Sequence, residues 1–89
     1  MKIYKYPVPV ADEFSIQVPE AARLLDVQVQ RGSVQLWAMV APDARMVTRK
    51  FALRGTGHDA SGLGFAAHVG TFQLDGGALV FHLFDLGEA

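Results

Sequence analysis

Cysteine is absent from the 89 residues. That excludes disulfides, thiolate chemistry and cysteine-ligated zinc, and it makes a cytoplasmic protein the simpler expectation. A charge excess is also missing. Eight basic and nine acidic residues give a formal net charge of −1, which supplies no electrostatic reason to bind duplex nucleic acid. No apolar run approaches the roughly 20 residues of a membrane span, so no membrane partner is expected. The segment Met1 to Pro7 carries no apolar stretch of signal-peptide type. No repeat, low-complexity tract or linker breaks the chain, and its length suits one domain over residues 1–89.

Apolar residues are abundant, at 51%, enough for a real core. Their spacing is that of β-strands. Phe14, Ile16 and Val18 alternate with Ser15 and Gln17. Leu25, Val27 and Val29 alternate with polar residues up to Arg31-Gly32-Ser33, and Val34, Leu36, Ala38 and Val40 continue beyond that turn. Met46 to Leu53 has Val47, Arg49, Phe51 and Leu53 on one face. A last hairpin pairs Val69–Leu74 with Ala78–Leu86 around Asp75-Gly76-Gly77, since Asp-Gly between apolar runs favours a tight hairpin turn. With Lys2–Tyr6 at the start, the pattern predicts an all-β fold of about six antiparallel strands, as a small sandwich or partly open barrel with little helix. Phe65 to His68 has room for a turn of helix before the last hairpin; Pro19 to Arg23 could form one turn but is too short to count as a helix.

Two strands carry more apolar surface than one covered face requires. Trp37 and Met39 stand opposite Val34, Leu36, Ala38 and Val40, while Val80, His82 and Phe84 stand opposite Leu79, Phe81 and Leu83. Either the 54–67 connection or a second subunit is expected to cover them. For so small a domain a homo-oligomer is the preferred reading.

The densest chemistry lies in Arg54-Gly55-Thr56-Gly57-His58-Asp59. Glycine-rich turns can aim successive amides at an anion. Here Gly55 and Gly57 would supply amides, Arg54 a guanidinium fork, and Thr56 and His58 side-chain hydrogen bonds. The plainer alternative is a glycine-permitted bend in solvent. Trp37 offers a flat face for a base and Arg49 a second cation, although packing explains each equally well. His58, His68 and His82 lie ten and fourteen residues apart, not at metal-site spacing, and no cofactor is implied. No serine stands in a nucleophile-elbow context, and an enzyme is not expected.

Met1-Lys2-Ile3-Tyr4-Lys5-Tyr6, Leu36-Trp37-Ala38 with Pro42, Gly55-Thr56-Gly57-His58, Gly70-Thr71-Phe72 and Gly77 through Phe84 together resemble a group of small uncharacterised phage and prophage proteins. The resemblance spans nearly the whole chain. It implies an intracellular, virus-encoded accessory protein, acting in the host cytoplasm, and no particular reaction. By analogy of type, such proteins include oligomeric antagonists of host defence that sequester nucleotide signals. The expected function is therefore non-catalytic sequestration of a small anionic ligand. A module that inhibits a host protein, or a minor virion or assembly component, stands as the alternative.

Overall fold

The computed structural model describes residues 1–89. It holds seven strands: β1 (Lys2–Pro7), β2 (Glu13–Pro19), β3 (Arg23–Gln30), β4 (Ser33–Val40), β5 (Met46–Gly55), β6 (Ala67–Leu74) and β7 (Leu79–Glu88). They form two antiparallel sheets, ordered β1-β4-β3 and β2-β5-β7-β6. The result is an open sandwich, all-β as expected; its seven strands fall on the seven runs named above, against a count put at about six.

No turn of helix forms at Phe65 to His68 or at Pro19 to Arg23. Ala67 and His68 belong to β6, because their backbone pairs with Asp85 and Phe84 of β7. The register then shifts between His68 and Gly70, a bulge at Val69. Between Pro19 and Arg23 the chain takes a tight turn with Ala21 at φ 61°, and Glu88 Oε2 accepts from the Ala21 amide at 2.6 Å. At both places ladder or turn hydrogen bonds overrode a short local helical preference.

The alternating apolar residues meet between the sheets. Val27, Val34, Leu36, Phe51, Leu53, Phe72 and Leu83, joined by Val8, form the main core. Phe14 stacks on Phe51 with ring centroids 5.3 Å apart. Val18, Ala22, Ala38 and Val40 form a smaller cluster. The sheets approach most closely where β3 runs beside β6. A Cβ at Gly70 would lie 2.8 Å from Val27 Cγ1, so that contact requires glycine.

This arrangement leaves two outer faces. That of the three-stranded sheet carries Trp37, and that of the four-stranded sheet carries His82 and Phe84. Both strands with apolar residues on two faces are central in their sheets. Their second faces are nonetheless only half-buried at Trp37, Met39, Val80, His82 and Phe84.

Candidate functional site

Strand β5 ends at Gly55, and the chain turns at once. The His58 amide donates to the Gly55 carbonyl at 3.0 Å, and Gly57 occupies the third position of this β-turn with φ 88°. That conformation is glycine's in a type II turn. Gly55 has a different task. A Cβ there would meet Cε1 and Nδ1 of His58 at 2.9 Å, so the missing side chain is what lets the imidazole fold back over the strand end. The Thr56 amide donates to the Val80 carbonyl at 2.9 Å, which ties the turn to β7.

A groove of about 290 Å³ opens there, lined by Gly55, Thr56 and His58 on one side and by Ala78, Leu79, Val80 and Phe81 on the other. One wall is thus polar, with a hydroxyl and an imidazole, and the other apolar. The Gly57 amide makes no hydrogen bond within the chain.

Arg54 reaches back over the start of the long connection. Its Nη1 donates to the carbonyls of Asp12 (2.7 Å) and Leu53 (3.0 Å), and its Nε to that of Asp59 (3.1 Å). Nη2 keeps no partner within the chain. The guanidinium chiefly fastens the loop to β5 and to the entrance of β2. Asp59 turns away from His58, accepting from the Ser61 hydroxyl (2.6 Å) and amide (3.0 Å). Those two bonds, with a smaller contribution from Arg54's charge, hold its carboxyl below the ordinary aspartate value. The His58-Asp59 dipeptide is therefore not an acid–base pair in this arrangement.

Two of the sequence-derived candidates lie elsewhere. Arg49 points inward at the far end of β5, where Nε and Nη2 bind the two Asp85 oxygens at 2.9 and 2.6 Å. Its Nη1 donates to the Ala22 carbonyl at 3.0 Å. With 13% of its side chain exposed, this guanidinium is committed to the fold and is no second ligand cation. Trp37 sits on the outer face of the other sheet, in a shallow concavity with Ile3, Leu25, Asp26 and Gln28. It cannot stack a base held at the Gly55–His58 turn. Gly55, Thr56, Gly57 and His58 come together, with Arg54 adjacent; Trp37 and Arg49 do not join them.

Sequence reading left three residues out of the site. Thr56 Oγ1 lies 2.8 Å from His82 Nε2, His82 Nδ1 lies 2.9 Å from Thr71 Oγ1, and Thr71 Oγ1 lies 3.2 Å from His68 Nε2. The available signal was the hairpin register. Setting Leu74 opposite Leu79 across the Asp75-Gly76-Gly77 turn places Thr71 opposite His82.

A family model for a domain of unknown function, DUF7352, matches residues 1–89. The chain belongs to the DUF7352 family. No curated protein and no solved structure matches it. Membership of DUF7352 agrees with the resemblance to an uncharacterised group and assigns no chemistry to the groove. No helix of this DUF7352 protein is long and apolar enough to cross a membrane.

Proposed function

We propose that this DUF7352 protein is a non-catalytic binding protein that holds a small anionic ligand of nucleotide type at the Gly55–His58 turn. The observation that carries this reading is the convergence of Gly55, Thr56 and His58 on one groove, facing the apolar wall of Ala78 to Phe81. His58 and the Thr56 hydroxyl, whose residues line the groove, are the donors for phosphate oxygens. The Gly57 amide and Arg54 Nη2, beside the groove and without partners in the chain, are further donors to the rest of an extended ligand. Leu79, Val80 and Phe81 offer apolar contact to a base or sugar face. Phage origin rests on the sequence resemblance, and antagonism of host defence by sequestration on an analogy of type with other small phage proteins.

The test is calorimetric titration with linear and cyclic nucleotides and ADP-ribose derivatives. His58→Ala should weaken binding of a retained ligand about tenfold, the loss of one hydrogen bond to a charged group, with ligand mass unchanged on release. Equal binding by the parent, His58→Ala and Arg54→Ala would remove the site.

A second reading draws on a different surface. Ile3 (60% exposed) and Leu25 (38% exposed) flank Trp37 on the outer face of the three-stranded sheet, an apolar patch suited to contact with another protein. Tight co-purification of one host protein, lost in Trp37→Glu, would favour this inhibitory module over the groove.

A further inference from the structure

The chain Thr56–His82–Thr71–His68 crosses the outer face of β5, β7 and β6. It has three links, and each link takes one hydrogen. A neutral imidazole has one donor and one acceptor nitrogen, and a hydroxyl has a single hydrogen. The direction of one link therefore constrains the next.

In one arrangement every hydrogen points towards Thr56. His68 Nε2–H donates to Thr71, Thr71 O–H donates to His82 Nδ1, and His82 Nε2–H donates to Thr56. The hydrogen of Thr56 is then free for the groove it lines. In the reverse arrangement Thr56 gives its hydrogen to His82 Nε2, His82 Nδ1–H donates to Thr71, and Thr71 donates to His68. The Thr56 hydroxyl then has only lone pairs to offer, and these repel an anion.

We propose that His68, Thr71 and His82 are positioning residues that turn the Thr56 hydroxyl into a donor towards an anion in the groove, so that anion binding and protonation of the relay favour each other. This rests on the reading of the groove as an anion site. A protonated His68 must donate from Nε2 and so selects the arrangement pointing at Thr56; a protonated His82 donates from both nitrogens, which also frees the Thr56 hydrogen but makes Thr71 an acceptor from Nδ1. The charged and titratable groups facing His82 are Arg54, its cross-strand neighbour on β5, and His68 on β6, with ring centroids 6.2 Å apart. His58 shares the turn with Thr56. The sign follows from linkage. A ligand that prefers the protonated relay takes up a proton, so its affinity rises as pH falls, by at most about tenfold per pH unit for each linked proton.

The experiment is ring-nitrogen NMR of His68 and His82, with sulfate as the probe because its charge does not change near neutral pH. Sulfate should move His82 towards the Nε2-protonated form, carry His68 with it, and bind more tightly as pH is lowered. Thr71→Val should uncouple His68 from sulfate while His82 still responds, and Thr71→Ser should restore the coupling and so separate a broken relay from a damaged fold. Histidine rings indifferent to sulfate, or a His68 response unchanged in Thr71→Val, would overturn the relay. Nucleotide binding with the parent's affinity and pH profile in Thr71→Val would also overturn it and leave the nucleotide reading standing. A sulfate response without any nucleotide binding would support the relay and overturn the nucleotide assignment.

Discussion

At the scale of single residues, Gly55 and Gly57 do different work in one motif. Gly57 satisfies a backbone angle, while Gly55 makes room for the His58 ring. Gly55→Ala should therefore keep the fold and its thermal midpoint within a few degrees, because the imidazole can swing outward to relieve the clash. It should nevertheless weaken ligand binding about as much as His58→Ala does. Parallel calorimetry and thermal unfolding check this, and full binding by Gly55→Ala would show that the folded-back ring is not needed. The motif was legible in the sequence because glycine spacing and side-chain chemistry are local. The role of His82 was not, since it depends on Thr56 and Thr71 reaching it from neighbouring strands. Arg49 shows the opposite limit. Its inward face could be read from alternation, but its partner Asp85 is 36 residues away in sequence.

At the scale of elements, the far end of β5 and β7 is closed by that ion pair. Burial would raise the Asp85 carboxyl, but hydrogen bonds from Arg49 and the Gly87 amide, with Arg49's charge, hold it below the ordinary aspartate value. A carboxyl depressed in the folded state stabilises above its unfolded value of about 3.9, and that contribution disappears as pH falls through the folded value. Stability should thus decline below about pH 4, and less steeply in a variant lacking Asp85. Arg49→Ala leaves Asp85 with 15% exposure and without its counter-charge, which should cost about 2–4 kcal/mol in denaturant unfolding. A loss below about 1 kcal/mol would mean that water replaces the guanidinium without penalty. Strand alternation was readable because its period is set by the pleat, except in β3, where the register shifts between Leu24 and Asp26, so that Leu24 packs on the core and Leu25 turns to the surface. The helical turn at Phe65 to His68 failed because β6 begins where β7 offers partners, which no local window contains.

At the scale of the whole molecule, the accessible surface of 5348 Å² is close to the roughly 5,100 Å² usual for a monomer of this mass. Compactness therefore gives no reason for a partner. The placement of apolar residues does, because Trp37, Met39, Val80 and Phe84 stay half-buried on the outer faces of a body only 16 Å thick in its shortest dimension. Strand composition made the fold class legible. The sheet order and the side of the sandwich that holds each candidate depend on long-range pairing, which is why Trp37 and the Gly55–His58 turn read as one site in sequence and separate in space.

Native mass spectrometry of the purified protein, alone and with linear and cyclic nucleotides and ADP-ribose derivatives, tests the central claim most directly. The groove reading predicts one nucleotide-type ligand gained per chain and released unaltered, and the apolar outer faces predict that the species carrying it is a homo-oligomer. A protein that retains none of these ligands would contradict it.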